Sequence, residues 1–128
     1  MLSLTENQEQ IDIIRWWDEH CSEYNLPPKA LAHICNEQKD ARRRALNAKL
    51  GVRNGFPDLI LCVPNKDFHG LFIELKRESR CSKKNPLAGL SEEQIAYREF
   101  LKSMGYESVV CYGSQHAIAT IKMYLKGL

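Results

Sequence analysis

The sequence predicts an α/β fold in which a central mixed β-sheet is flanked by helices. Three observations predict it. Apolar residues recur at helical spacing near both ends of the chain and in its middle. Two short apolar runs, Leu59–Val63 and Leu71–Leu75, stand either side of a turn-forming segment. The elements follow the order α-β-α-β-β-α-β-α with no internal repeat, which implies a mixed sheet flanked by helices. A chain of 128 residues suits one domain, spanning 1–128, and an apolar content of 44% is enough for a core.

The first helix is expected over residues 4–24. Thr5 can cap it, Glu6 and Glu9 fall in its first turn, and Ile13, Ile14, Trp16 and Trp17 form its apolar stripe. Leu26-Pro27-Pro28 ends it. Leu31–Cys35 is a short strand, Asn36–Lys39 a turn, and Asp40–Leu50 a helix stopped by Gly51. Ala41, Ala45, Leu46 and Lys49 are expected on the inner side of that helix. Asp58–Val63 and Gly70–Lys76 are strands joined by the Pro64–His69 turn. Arg77–Gly89 reads as a polar, mobile loop. Ser91-Glu92-Glu93-Gln94 is a capping box opening a helix that Gly105 closes. Glu107–Tyr112 is a strand, and Ser114–Lys126 a final amphipathic helix.

Bulk properties narrow the function classes. No apolar run approaches a membrane span, and the first residues, MLSLTENQEQ, lack the basic and apolar regions of a signal peptide. Five cysteines, odd in number and without a CxxC pair, argue against a disulfide scaffold or a zinc ribbon and for a reducing cytoplasm. Cys35, Cys62 and Cys111 are expected as small core residues. A net charge of +2 implies no partner, but its distribution is uneven. Lys39, Arg42, Arg43, Arg44, Lys49 and Arg53 crowd one stretch, and Lys76, Arg77, Arg80, Lys83 and Lys84 another. Such stretches suit a polyphosphate or a solvated surface equally. Arg42, Arg43 and Arg44 spread over about 200° of a helix, so only one or two can meet a given ligand. Lys39, Arg42, Arg43, Arg53, Arg77, Lys83 and Lys84 are the candidate nucleic-acid contacts.

The chemistry concentrates between Gly55 and Lys76. Asp58 follows Pro57 and opens one strand; Glu74 and Lys76 lie in the other. Side chains alternate along a strand, so Glu74 and Lys76 share a face while Leu71, Ile73 and Leu75 anchor the opposite one. If the turn makes the strands antiparallel, Asp58 stands across from Glu74 or Leu75, where cross-strand Cβ atoms are roughly 4.5–5.5 Å apart. Two carboxylates that close repel each other unless a cation intervenes. Magnesium or manganese suits such oxygen donors, and a lysine beside it could position a water or balance charge on phosphorus. An acid-x-lysine in a strand can also be a surface ion pair; its coincidence with Gly55-x-Pro57-Asp58 on the adjacent strand favours a site.

These residues resemble a known family. Gly51-Val52-x-x-Gly55-x-Pro57-Asp58-Leu59, Gly70-Leu71-x-Ile73-Glu74-Leu75-Lys76 and Leu90-Ser91-x-x-Gln94 are similar to the virus-type replication–repair nuclease (VRR-NUC) domain of the PD-(D/E)xK superfamily. So are Glu6-x-x-x-Gln10, Asn36-x-x-Lys39, Gly105-Tyr106 and the helix from Ala117 to Leu125, so the likeness covers nearly the whole chain in order. The resemblance implies a restriction-endonuclease-like core of the small phage or bacterial type. It implies a divalent-metal site (Mg2+ or Mn2+) held by Asp58, Glu74 and the backbone carbonyl of Leu75. Lys76 would be the catalytic lysine. Glu6 would be the first-helix acid, reaching the metal directly or through water, and Gln94 a supporting polar residue. Asn36-Glu37-Gln38 departs from the Asn-Gly-Gly common among stand-alone relatives.

The expected function is therefore a structure-selective DNA endonuclease acting on branched substrates, resembling the dimeric Holliday-junction resolvases, in a bacterial or phage-infected cytoplasm. A flap or end-processing nuclease, or a non-catalytic DNA-binding module of the same fold, are the alternatives. Among the first-helix acids, Glu6 and Glu9 compete, and both can be read as dipole-capping residues. His33 is expected to face the site, with Ala32 and Ile34 toward the core. Trp16 and Trp17 read as core and interface rather than a stacking platform.

Overall fold

The computed structural model describes residues 5–35 and 40–128. Helix α1 spans Glu6–His20, β1 Leu31–His33, α2 Ala41–Lys49, β2 Leu59–Leu61, β3 Leu71–Lys76, α3 Glu92–Ser103, β4 Glu107–Tyr112 and α4 Ser114–Leu125. They form the expected mixed α/β fold. The four-stranded sheet runs β1-β2-β3-β4, antiparallel across the first two pairings and parallel between β3 and β4.

Local chemistry accounts for the ends of the helices. The Thr5 hydroxyl accepts the Gln8 N–H while Gln8 Oε1 accepts the Thr5 N–H, both at 3.1 Å, so α1 opens with a closed capping box. α1 ends sooner than expected: Cys21–Tyr24 tighten into a 3-10 turn and Asn25 takes a left-handed φ of 59°. The first strand begins at Leu31 as expected, after a 3-10 turn at Pro28–Ala30, but ends at His33, two residues short of the expected Cys35.

The core lies on one face of the sheet. Leu59, Leu61, Leu71 and Ile73 point there and are fully buried against Ile13 and Trp17 of α1 and Ala117 and Ile121 of α4. Each such aliphatic side chain contributes roughly 1.5–3 kcal/mol by leaving water. Two polar groups are tied off within it: Trp17 Nε1 donates to Pro28 O at 2.9 Å, and the Tyr124 hydroxyl to Val63 O at 2.6 Å. The opposite face carries a thinner layer, in which Phe72 meets Phe56 and Tyr106 edge-on and Phe56 meets Tyr97. α3 covers that side.

Three expectations change. α2 buries none of its residues, so Ala41, Ala45, Leu46 and Lys49 have no inner side to occupy; Leu46 is 47% and Leu50 71% exposed. Its pattern is amphipathic, but none of its side chains is buried by another of the described residues. Cys35 and Cys62 are exposed, and only Cys111 of the three is a core residue. Leu59, Leu61 and Val63 take the buried positions of the β2 run, which turns Cys62 outward. In β1 the alternation is also reversed, since Ala32 is exposed. Trp17 is core, whereas Trp16 is half-buried with Lys122 Nζ 5.8 Å from its ring centre. Among the described residues no helix is long and apolar enough to cross a membrane.

Candidate active site

The β2–β3 register pairs Leu59 with Ile73, so partner numbers sum to 132. One step beyond the ladder, Asp58 meets Glu74. A further step would set residue 57 across from Leu75, but residue 57 is a proline with no N–H to give. The strand leaves the ladder here. The Asp58 N–H goes to Ile73 O at 3.0 Å, and Asp58 Oδ2 accepts the Leu75 N–H at 2.7 Å in the place of a backbone carbonyl. Asp58 is thus fixed by β3 itself, and the Leu75 carbonyl meets no N–H from residue 57. On the other side, the Asp58 carbonyl accepts the Ile34 N–H at 2.8 Å and lies 3.0 Å from His33 Nδ1. His33 is exposed and supports the Asp58 backbone.

Glu74 is 8% exposed. Burial pushes its carboxyl up to about 9. The neighbouring Asp58 adds to this by its charge and by a hydrogen bond between the two side chains; Lys76 opposes it, and Glu6 adds a smaller repulsion. Gln94 Nε2 donates to Glu74 Oε1 at 2.9 Å, reaching in from the first turn of α3. That turn is held in place by Gly55. A Cβ there would stand 2.5 Å from the backbone of Glu93, and the glycine has a φ of +85°. The Gly-x-Pro-Asp segment therefore does two things: Gly55 admits α3, and Pro57 releases the ladder so that Asp58 turns toward Glu74.

Asp58, Glu74, Leu75, Lys76 and Gln94 are brought together, and Glu6 is near enough for its charge to act on Glu74. Glu6 is exposed on the first turn of α1. The candidate nucleic-acid contacts are spread more widely. Arg42 and Arg43 are exposed on α2, Arg53 on the following loop, and Arg77, Lys83 and Lys84 on the loop after β3. Lys39, with Asn36, lies outside the described residues. The loop after β3 is anchored at its far end, where the Tyr112 hydroxyl donates to Ala88 O at 2.7 Å.

The donor set can be tested against a cation. Among the described residues no group of three His, Cys, Asp and Glu side chains forms a ready-made cage. What the site offers is two neighbouring carboxyls, one with its ionisation strongly suppressed, beside a carbonyl whose cross-strand position is a proline. These are hard oxygen donors in need of positive charge, and they fit a divalent ion that keeps waters in its remaining positions.

The VRR-NUC domain family matches residues 4–115, nearly the full chain. The chain belongs to the VRR-NUC family. A solved structure titled "VRR_NUC domain protein" is 25% identical and superposes with a TM-score of 0.81, covering 99% of this chain and 93% of that one. No curated protein of known function matches. Membership suggests nuclease activity, and it agrees with the mixed sheet and with the motif that β2 and β3 bring together.

The structure separates the two competing first-helix acids of this VRR-NUC domain. Glu9 is 4% exposed, far more buried than its neighbour in the first turn. The signal that could have found it is the i, i+4, i+8 spacing of Glu9 with Ile13 and Trp17, the three buried positions of α1. His116 is exposed, yet its Nδ1 accepts the Tyr112 N–H at 3.0 Å, next to the end of β4.

Proposed function

We propose that this VRR-NUC domain, the whole chain acting as one unit with a PD-(D/E)xK core, is a divalent-metal-dependent DNA endonuclease selective for branched structures. The observation that carries the reading is the pairing of half-buried Asp58 with buried Glu74, with Lys76 on the same face of β3. Asp58, Glu74 and the Leu75 carbonyl would hold Mg2+ or Mn2+. The ion, when bound, supplies Lewis-acid activation of a phosphodiester and of water. Lys76 presents its ammonium beside Glu74, where it orients the attacking water or balances charge as it builds on the phosphate oxygens. Gln94 holds the Glu74 carboxyl in one rotation, and Glu6 provides a further acid at the solvent side. Arg42, Arg43, Arg53, Arg77, Lys83 and Lys84 are exposed and basic, which supports contacts to the DNA backbone. Lys39 belongs to the same proposal on sequence grounds.

Holliday-junction resolution is the branched-DNA reading favoured here, with a homodimer, because paired cuts on a two-fold-symmetric junction need two sites related by two-fold symmetry. The exposed apolar side chains of Leu46 on α2 and Leu50 just after it support a contact with a second copy. The test is cleavage of four-way, flap and single-stranded DNA with Mg2+, Mn2+ or EDTA by the intact chain. Symmetric paired cuts, abolished in Asp58→Asn and Lys76→Ala, are expected. Cleavage of flaps alone would favour the end-processing reading. Binding without cleavage under either metal would leave a DNA-binding module.

A further inference from the structure

The Glu9 carboxylate is buried where the reaction has no direct use for it. The Ser114 hydroxyl donates to its Oε1 at 3.4 Å. Its Oε2 has no hydrogen-bond partner among the described residues and would stand 2.8 Å from a Cβ on Gly113. Gly113 is the N-cap of α4, with a φ of 91° and no side-chain cap of its own. The carboxylate therefore lies over the positive end of a twelve-residue helix, a favourable place for it. An apolar side chain would fill the same space without a buried, half-satisfied acceptor, so packing alone does not account for an acid here.

Gly113 has a second contact. Its N–H donates to Lys76 O at 2.9 Å, directly after the register pair Lys76–Tyr112. Gly113, by having no Cβ, thus leaves room for Glu9 Oε2 on one side while its N–H holds the backbone of Lys76 on the other.

We propose that Glu9 is a positioning residue: clasped against Gly113 and Ser114, its carboxylate fixes the end of β3 from which Lys76 projects. The inference rests on the nuclease reading for its catalytic consequence, but not for its structural one. A neutral or missing carboxylate frees Gly113, and Lys76 loses its aim while Asp58 and Glu74 stay in place.

The full chain is compared as wild type, Glu9→Gln, Gly113→Ala, their double variant and Ile121→Val, the last a core change on α4 remote from the site. Cleavage kinetics with Mn2+, Mn2+ binding by calorimetry, thermal stability and amide exchange at Gly113 are read out. Glu9→Gln is expected to lower kcat about tenfold, since small misplacements of a catalytic group cost that much or more. KM and Mn2+ affinity should stay within about twofold, and Gly113 exchange should speed up about tenfold, as expected for a locally opened hydrogen bond. Gly113→Ala, whose Cβ would displace Glu9 Oε2, should lower kcat likewise and add little to Glu9→Gln, because both act on one arrangement. Ile121→Val should lower stability and leave kcat and Gly113 exchange unchanged. A Glu9→Gln protein with wild-type kcat, or one whose kcat falls only in step with stability as in Ile121→Val, overturns the proposal. If the wild type cleaves nothing, the nuclease reading fails by itself; Gly113 exchange still decides the clasp, and unchanged exchange in Glu9→Gln overturns it.

Discussion

Gln94 joins the cap of α3 to the acid pair: its Nε2 donates to Glu74 Oε1 at 2.9 Å while its Oε1 accepts the Ser91 N–H, also at 2.9 Å. Both ends of one amide are committed, so its orientation is fixed by the helix and passed on to the carboxyl. Two substitutions separate these roles. Gln94→Glu keeps an acceptor for Ser91 and so keeps the cap, but sets a third carboxyl against Glu74. Gln94→Ala removes both hydrogen bonds and costs about 1 kcal/mol in capping. We expect Gln94→Glu to melt close to wild type yet lose more activity than Gln94→Ala. Melting curves and cleavage rates measured on the same samples would show whether the order is reversed.

Gly55 is the second point where the hairpin and α3 depend on each other. Alanine there needs a φ of +85° and places a methyl 2.5 Å from the Glu93 carbonyl carbon. Backbone cannot yield as a flexible side chain can, so α3 must shift. Strain of this kind costs roughly 1–3 kcal/mol. Gly55→Ala should lower the denaturation midpoint by a corresponding amount, and it should also loosen the Gln94 contact. Gly51 also has a positive φ, but a Cβ on it meets nothing within 4 Å; Gly51→Ala should cost less. Equal losses in urea titrations of the two variants would contradict the steric argument.

The catalytic hairpin was legible in the sequence because it is local. Pleat alternation places Glu74 and Lys76 on one face, and the short Pro64–His69 turn limits the register to one or two choices, one of which pairs Leu59 with Ile73. The parts that were not legible depend on elements distant in sequence. Glu6 and Glu9 are near neighbours on the helix surface; the arrival of Gly113 and Ser114, over a hundred positions later, buries one and leaves the other in water. α2 shows the opposite failure: an apolar stripe needs something to pack on, and periodicity says nothing about whether the chain supplies it. Cys62 was readable and misread, since Leu59, Leu61 and Val63 already claim the inward positions.

Lys83 and Lys84 offer a test of how DNA is held that does not involve the acid pair. Both are exposed, on the loop whose far end the Tyr112 hydroxyl ties to Ala88 O. Removing a lysine that neutralises one phosphate should reduce the slope of log K against log salt by about 0.9 on duplex DNA. The double variant Lys83→Ala/Lys84→Ala should therefore bind more weakly at low salt, with a slope shallower by about 1.8 if both lysines touch phosphate. Anisotropy titrations at several salt concentrations measure it. An unchanged slope would remove this loop from the DNA-binding surface.

Glu74 makes the stability of the metal-free protein depend on pH in an unusual direction. Its carboxyl is pushed up from 4.5 to about 9, first by burial and then by Asp58. A carboxyl raised in the folded state binds its proton more tightly there than when unfolded. Its stabilising contribution is full below pH 4.5 and is lost as pH rises toward 9. In EDTA the wild type should thus lose stability between pH 5 and pH 9 relative to Glu74→Gln, which has no proton to give up there. A difference of roughly 1–3 kcal/mol is expected once relaxation around buried Glu74 is allowed for. Mg2+ or Mn2+ should shrink that difference, because a cation held by Asp58 and Glu74 replaces the proton and favours the ionised form. Metal affinity should accordingly rise with pH across the same interval, with proton release detectable by calorimetry in buffers of different ionisation enthalpy. Parallel wild-type and Glu74→Gln stability profiles from pH 5 to pH 9 would mean that Glu74 is already ionised in the folded, metal-free protein, and the case for a cation at this pair would lose its electrostatic basis.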